Sequence, residues 1–286
     1  MRKLIYRNEK GQEVTFSSSR PFYLLSIENT SSSSISTTLS ARDHGYDVDG
    51  KSFKERSIPI TGAIDAFDAD ELDRKRNQLT RILNPLLDGE LIYTNNNLTR
   101  KINVSIDSIT FNKPMMYYQE FLIQFIAYIP FWEDINTYKA DIALWEANFG
   151  FELEVDKFGV DLGSRVSNLI CNINNPGDIE CGIKVKFKAL ATVVNPKLIN
   201  INTREFIRIN RTLERGDTLE VTTHYANKRI ELLKSNGTKE NVYHWLDLNS
   251  EFLKLDLGDN LFRYDADKGI DNLEVSIYYS PLYIGI

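Results

Sequence analysis

The sequence predicts a mainly β protein with one clear α-helix, arranged as two domains. Strand-forming Tyr and Phe are abundant, with 14 and 15 copies, whereas Met occurs only 3 times. One helical pattern stands out, between Ala69 and Leu83. After Phe151, short strand patterns alternate with turns rich in Gly, Asn, Asp and Pro, which is typical of a β-sandwich or jelly roll. We therefore expect an α+β domain over residues 1–140 and a β-sandwich domain over residues 141–286.

The composition indicates a packed globular protein and argues against several classes of partner. Apolar residues make up 42% and charged residues 26% of the 286-residue chain, so general disorder is not expected. The formal charge is −6 and no long run of Lys or Arg occurs, which argues against nucleic-acid binding. The sequence contains neither a signal-peptide pattern nor an apolar run of about 20 residues, so we expect folding in a cytosol and no membrane span.

The first elements are predicted strands separated by polar segments. Leu4 and Tyr6, then Glu13–Phe16, then Phe22–Ile27, read as short strands. The segment from Asn29 to Ser40 is rich in Ser and Thr, and Ile35 and Leu39 are its only apolar residues. This segment is either a flexible loop or an exposed edge strand that pairs with a neighbouring chain. The following polar stretch, His44–Lys51, is predicted to form a hairpin tip.

The helix has clear start and stop signals. A strand carrying Arg56, Ile58 and Ile60 precedes it, Asp68 is a good N-cap, and Glu71 completes a capping-box pattern. The helix is predicted to end at Asn84, because a residue before proline is pushed out of helical geometry. Its apolar face is formed by Leu72, Leu79, Ile82 and Leu83.

A long apolar strand supplies most of the candidate inter-subunit surface. Residues Tyr117–Ile129 carry apolar side chains on both faces, which favours the middle of a sheet or a contact with another subunit. Together with the Ser/Thr-rich segment, this strand gives the candidate contact residues Tyr117, Phe121, Ile123, Phe125, Ile35 and Leu39. Another strand is predicted from the alternation of Ile102, Val104 and Ile106 with polar residues.

The second half contains several regularly spaced strand patterns. The best single hairpin signal is Asn236-Gly237. The predicted strands are Ile183–Phe187, Glu205–Ile209, Thr218–Thr223, Arg229–Leu233, Glu251–Leu255 and Leu273–Tyr279.

The sequence offers no convincing catalytic, cofactor or metal site. The three histidines lack metal-ligand spacing, and neither a nucleophile elbow nor a glycine-rich phosphate loop occurs. The neighbouring carboxylates Glu133/Asp134 and Glu152/Glu154 could serve a wall hydrolase, but such neighbours are expected by chance among 40 acidic residues. Cys171 and Cys181 are either free thiols or a disulfide, if their strands pair.

Aromatic residues near Trp245 leave a second function open. Trp245 and Tyr243 are candidate sugar-stacking residues, because sugars bind through the apolar faces of their rings. The alternative function is therefore a carbohydrate-binding adhesion protein that acts through the C-terminal sandwich.

Two sets of motifs resemble one known family. The block Arg56–Tyr93, in which a strand leads into a capped helix ending at Asn84-Pro85, resembles the opening domain of siphophage distal tail proteins (the Dit family). In the second half, an ordered series of turns and strands is similar to the C-terminal domain of that family: Asn174–Asp178, Ile183–Phe187, Asn195–Leu198, Gly216–Val221, Phe252–Leu255 and Gly258–Asn260.

The resemblance implies a structural virion protein, located at the distal end of the phage tail and assembled in the host cytoplasm. It implies a ring of six copies that joins the tail tube protein to the tail-tip protein and surrounds a channel through which DNA passes. It also implies a galectin-like C-terminal sandwich, which in some members anchors receptor-binding proteins. No catalysis and no cofactor are expected.

Overall fold

The computed structural model describes residues 2–31, 34–42, 44–96, 98–142, 145–146, 164–165 and 170–286. The chain divides into two compact units, one formed by Met1–Ile135 with Leu282–Ile286 and the other by Asn136–Pro281. The predicted fold class is confirmed, because strands dominate both units and the one α-helix of the described residues lies in the first. The prediction assigned Leu282–Ile286 to the second domain, whereas these residues pair with the first unit.

The described residues of the first unit form eleven strands and the helix. Their bounds are β1 Arg2–Asn8, β2 Glu13–Phe16, β3 Phe22–Ile27, β4 Ile35–Arg42, β5 Gly45–Phe53, β6 Arg56–Asp65, α1 Ala69–Ile82, β7 Gly89–Asn95, β8 Leu98–Phe111, β9 Tyr118–Ala127, β10 Trp132–Asp134 and, at the far end of the sequence, β25 Leu282–Tyr283.

One antiparallel sheet organises this unit, in the order β2-β1-β7-β8-β9-β6-β3. Strand β8 pairs with β7 through its first half and with β9 through its second half, with an irregularity between Ile106 and Ser108. The two halves of the sheet share one core. Tyr6 lies 5.3 Å from Phe125 between ring centroids, and Phe16 lies 5.8 Å from Phe121. Strand β10 extends the sheet by pairing with both β8 and β25.

The helix follows its sequence signals closely. The Asp68 carboxylate accepts a hydrogen bond from the Glu71 amide at 2.6 Å, and the Glu71 carboxylate accepts one from the Phe67 amide at 2.9 Å. The predicted apolar face of the helix is buried, which confirms that prediction. Within the described part of the chain, no helix combines the length and the apolar character needed to span a membrane.

Buried Tyr6 makes the stability of the first unit sensitive to alkaline pH. Its hydroxyl is buried without a hydrogen-bond partner among the described residues, and burial raises its pKa from 10.0 to about 12, with a smaller contribution from Asp88. The unfolded chain therefore ionises first, and the stability from neutral Tyr6 is fully present below pH 10 and is lost between about pH 10 and 12.

We expect Tyr6→Phe to remove this alkaline loss and to leave the fold intact. Deleting a buried hydroxyl without a partner should raise stability at pH 7 by about 1 kcal/mol. Urea unfolding of both proteins at pH 7, 9 and 11 measures the effect. Parallel stability curves for the two proteins from pH 9 to 11 would contradict it.

The described residues of the second unit form strands β11 to β24 and two short 3₁₀ turns, Tyr243–Trp245 and Ile270–Asn272. The strand bounds are β11 Tyr138–Asp141, β12 Trp145–Glu146, β13 Ser164–Arg165, β14 Ile170–Asn175, β15 Cys181–Ala189, β16 Val193–Asn200, β17 Phe206–Arg208, β18 Thr212–Leu213, β19 Thr218–Thr222, β20 Arg229–Leu233, β21 Lys239–Asn241, β22 Lys254–Leu255, β23 Gly258–Lys268 and β24 Leu273–Tyr279.

Two antiparallel sheets form the sandwich of this unit. One has the order β11-β24-β15-β19-β20-β21, with β22 on β15, and the other has the order β14-β23-β16-β17, with β18 on β16. Strand β15 shows how the sequence encodes it, because Ile183, Val185 and Phe187 are buried and alternate with lysines. The Asn236-Gly237 hairpin is confirmed: Gly237 has φ +84° and β20 pairs with β21. Predicted strand Glu251–Leu255 is reduced to β22.

Buried asparagines hold the turns of the family-like motifs. Asn175 accepts a hydrogen bond from Gly177 N at 3.0 Å and donates to Ile179 O at 3.1 Å. Asn260 accepts from Asp256 N at 2.9 Å and donates to Asp256 O at 2.8 Å. The motifs therefore fix the backbone of connections, and their polar side chains are used inside the fold.

Candidate assembly surfaces

The Ser/Thr-rich segment forms an exposed β-hairpin. Strands β4 and β5 pair with each other and with no other described strand. Of the two alternatives for Asn29–Ser40, the strand is correct from Ile35 onward. The predicted polar tip at His44–Lys51 is wrong, because Gly45–Phe53 is strand β5 and the turn lies before it. The described side chains of β5 are all exposed, as are nearly all those of β4.

The two faces of this hairpin differ in polarity. Directly paired residues share a face, and the register pairs Ile35 with Phe53, Leu39 with Val48 and Ala41 with Tyr46. The opposite face carries mainly small polar residues, among them Ser36, Thr38, Ser40, Asp47 and Ser52. The pair Thr37 and Lys51 lies on the first face as well, between these apolar pairs. We call the apolar residues of that face, Ile35, Leu39, Ala41, Tyr46, Val48 and Phe53, the apolar face of the hairpin.

A β-bulge creates this segregation. The register shifts between Thr38 and Leu39, so that Asp49 is the extra residue on β5. Without the shift, Val48 and Phe53 would lie on opposite faces, because they are an odd number of residues apart. The Ser40 hydroxyl donates to the Asp49 carboxylate. The bulge therefore gathers the apolar side chains of both strands on one face.

A second exposed apolar group lies at the other end of β6. The Ala66 amide donates to Tyr117 O at 3.1 Å, which joins the turn after β6 to the turn before β9. The side chains of Phe67, Met115, Met116 and Tyr117 are exposed, and we call them the end patch. Met116 has φ +55°, a conformation that costs energy for a residue with a side chain and is often found at functional sites.

The structure divides the predicted inter-subunit residues into two groups. Ile35, Leu39 and Tyr117 are 53%, 52% and 43% exposed and remain available to a partner. Phe121, Ile123 and Phe125 are 1%, 0% and 0% exposed, so their prediction as surface residues is wrong. Strand β9 is central between β8 and β6, and one of its faces lies entirely in the core. An apolar pattern alone does not say whether the covering layer comes from the same chain.

The two candidate sugar-stacking residues lie in the turn Tyr243–Trp245. Tyr243 stacks on Phe252 at 5.9 Å between centroids. The Arg211 guanidinium lies 5.0 Å over the Trp245 ring, and His244 contacts that ring edge-on. At least one face of each ring is therefore already used within the second unit, which leaves sugar stacking there a prediction without geometric support.

The other residues that sequence reasoning singled out do not form a reactive site in the described structure. Glu133 lies in β10 and pairs with Lys101 at 3.4 Å. Glu152 and Glu154 lie outside the described residues. Among the described residues, Cys171 and Cys181 form no disulfide; their strands pair with other strands, and burial raises the pKa of the Cys171 thiol. The described residues contain no group of three or more His, Cys, Asp or Glu side chains suited to a metal ion.

Comparison with known families identifies both units. A model described as the phage tail protein RIFT-related domain matches residues 9–127. A second model, described as the siphovirus-type tail component, C-terminal domain, matches residues 176–283. The chain belongs to the siphophage distal tail protein family. No curated protein matches it.

Solved structures show that this distal tail protein has a fold found in other phages. The Dit (gp 19.1) protein of phage SPP1, called a paradigm of the hub adsorption apparatus in phages infecting Gram-positive bacteria, matches with a TM-score of 0.72 at 11% identity. Two structures of the phage p2 baseplate in its activated conformation, with Ca and with Sr, match with TM-scores of 0.58 and 0.57 at 9% identity. Each comparison covers 98% of both chains.

Sequence reasoning missed the exposed residues of β5 and every residue of the end patch except Tyr117. Phe53 shares a face with Tyr46 and Val48 only because of the bulge at Asp49, and the acids and glycines of this segment favour a turn. Phe67 and Met115 belong to turns, where periodicity carries no information about burial. The signal that could have found them is the presence of large apolar residues in turns of this distal tail protein.

Proposed function

We propose that this protein is the ring-forming hub of the distal tail, closed from six copies and without catalytic activity. The observation that carries the proposal is the hairpin, whose apolar face is exposed in the single chain. Exposed, flat, apolar ribbons are a liability unless another chain covers them. Burying one large apolar side chain contributes about 1.5–3 kcal/mol, so a face of this size can offset much of the cost of association.

A closed ring of identical copies needs two different surfaces on each copy, because every contact is head to tail. The hairpin apolar face and the end patch supply such a pair. Strand β6 begins at Arg56 beside the hairpin and ends at Asp65 beside the end patch. Its ten residues span about 33 Å at about 3.3 Å per residue, so the base of the hairpin and the end patch lie at opposite ends of this strand.

Family membership supports the remaining partners of the proposed hub. The ring joins the tail tube protein to the tail-tip protein at the distal end of the virion, and its channel passes DNA. The galectin-like second unit offers an attachment site for a receptor-binding protein. Assembly takes place in the host cytoplasm. The relation to SPP1 Dit, a hub protein by its description, supports this assignment.

Leu39→Lys is expected to weaken self-association at least about tenfold, because a charge replaces an apolar contact in every copy of the interface. Thr38→Lys adds the same charge to the adjacent residue on the polar face and is the matched control. Light scattering after size exclusion, over a range of concentrations, measures the mass of each protein. Equal mass distributions for the two variants, or a wild-type chain that stays monomeric throughout, would count against the ring.

Mixing two variants tests the head-to-tail arrangement. Leu39→Lys/Val48→Lys removes the hairpin surface, and Met115→Lys/Met116→Lys removes the end patch. Each variant alone should stay monomeric, whereas an equimolar mixture should stop at the dimer, since only one intact pair of surfaces remains. If the end-patch variant assembles like the wild type, the end patch does not take part in the ring.

A further inference from the structure

The root of the hairpin, by which we mean residues 29–31 and 34 before β4 and residues 54–56 after β5, is hydrogen-bonded to a segment from the far end of the sequence. Arg56 follows β5 closely and is only 4% exposed. Its Nη1 donates to Asn29 O at 3.0 Å and to Thr30 O at 2.9 Å, and its Nη2 donates to Ile284 O. One guanidinium therefore holds the chain that enters the hairpin, the chain that leaves it and residues 282–286.

Three further contacts connect the chain that enters the hairpin, Trp132 and residues 282–286. The Trp132 indole donates to Thr30 O at 3.1 Å, and Trp132 pairs with Tyr283 between β10 and β25. The Ser31 hydroxyl donates to Ile286 O at 2.8 Å. The hairpin root is thus bound from two sides by the β10–β25 pair and by Arg56.

Gly285 allows the closest approach in this region. A Cβ built on Gly285 would lie 2.9 Å from Ser31 Cα, closer than real Cβ atoms approach a backbone carbon. A side chain at this position would therefore push residues 282–286 away from the root. Arg100 holds the same segment from the other side, with Nη1 donating to Gly285 O and the guanidinium 3.4 Å above the Tyr283 ring.

The charge of Arg56 explains why its acceptors matter. Burial lowers the pKa of this guanidinium, which reflects the cost of removing a cation from water. The hydrogen-bond acceptors that replace water around Arg56 are backbone carbonyls. Losing the carbonyl from residues 282–286 would leave a buried cation less satisfied, and the local structure would open to rehydrate it.

We propose that Leu282–Ile286 is a clasp that fixes the direction of the assembly hairpin, with Arg56 as the positioning residue that couples the two. The role of the hairpin in assembly rests on the proposed function, whereas the clasp itself does not. A consequence is that the hairpin is held only after the second unit has been synthesised, because the clasp follows that unit in sequence. Nascent chains would then present an unfixed hairpin and associate poorly.

Hydrogen exchange measures the coupling in the full chain. The Lys54 amide donates to Ser34 O at 2.9 Å and reports on the hairpin root, while the Glu28 amide donates to Pro59 O at 3.1 Å and reports on the neighbouring sheet. The double variant Gly285→Val/Arg100→Met changes residues that contact the clasp, and Ser31 is the only residue of the root that either of them touches. In this variant we expect the Lys54 amide to exchange at least about tenfold faster. The Glu28 amide and the amides of β15 should not change, which excludes general unfolding.

Two further variants locate the coupling. Arg100→Met alone changes no residue that contacts the root, so faster exchange at Lys54 in this variant indicates transmission through the clasp. Arg56→Lys keeps the charge but cannot reach three carbonyls, and it should reproduce the effect at Lys54 with β25 still protected.

Unchanged exchange at Lys54 in all three proteins would overturn the proposal, as would a clasp that stays fully protected in the double variant. Association is read separately by light scattering. If exchange shows that the variants release the hairpin root but the wild-type protein never forms multimers, the clasp is supported and the proposed ring is rejected. The failure of one proposal is therefore distinguishable from the failure of the other.

Discussion

Phe121→Ala is expected to lower the free energy of unfolding by about 3–5 kcal/mol. The ring is 1% exposed and packs within 5.8 Å of Phe16 and 6.2 Å of Phe111 between centroids. The Phe121 ring also lies against Gly62, where an added Cβ would approach it to 2.4 Å, so this part of the core is tightly packed. Alanine would leave a cavity that the surrounding sheet could only partly close.

Leu122→Ala is the matched control for this prediction. Leu122 is the next residue of β9, points to the other face and is 42% exposed, so its loss should cost less than about 1 kcal/mol. Urea unfolding of the two variants and the wild type gives the comparison. If Phe121→Ala kept the stability of the wild type and lost only self-association, the Phe121 side chain would belong to a subunit interface, as the sequence alone predicts.

Asn260→Ala is expected to cost about 2–3 kcal/mol, although it removes only a short polar side chain. Asn260 is 1% exposed, and its amide bridges both backbone groups of Asp256 and also donates to Gly258 O at 2.9 Å. Truncation would leave these groups without their partner in a tight connection between β22 and β23. Asn260→Asp should be at least as harmful, because a carboxylate cannot donate to the two carbonyls.

Asn202→Ala tests whether burial or the number of hydrogen bonds determines the loss of stability. Asn202 also makes two side-chain hydrogen bonds in the same unit, to Leu261 N at 3.1 Å and to Asp259 O at 3.3 Å, but it is exposed. Water can replace its partners, so we expect a loss below about 1 kcal/mol. Thermal unfolding of both variants provides the test. Equal losses would mean that the number of hydrogen bonds matters here and their burial does not.

Local chemistry made several parts of this fold predictable. Asp68 caps the helix through its own carboxylate, and proline after Asn84 ends the helical geometry, so both ends of α1 are encoded within a few residues. Asn236-Gly237 forms its hairpin for the same reason, since glycine adopts positive φ without strain. The alternation of buried and solvated residues in β15 likewise needs only the two-residue period of a strand.

The candidate surfaces depended on information that is not local. Phe121 and Phe125 have the same apolar character as Leu39 and Val48, and only the positions of β1, β2 and β8 decide that the first pair is covered and the second is not. The bulge at Asp49 depends on how β4 and β5 register with each other, which neither strand specifies alone.

The sequence by itself determined the mainly β class, the helix, many of the turns and the resemblance to siphophage tail proteins, because short-range steric and capping rules set each of these. Tertiary structure alone decided which apolar residues stay exposed and which residues hold the hairpin. Arg56 and Ile284 are 228 positions apart, and a hydrogen bond over that separation exists only once both units have folded the chain back on itself. The physical reason is that burial and long-range pairing are properties of the packed chain, whereas propensity is a property of neighbouring residues.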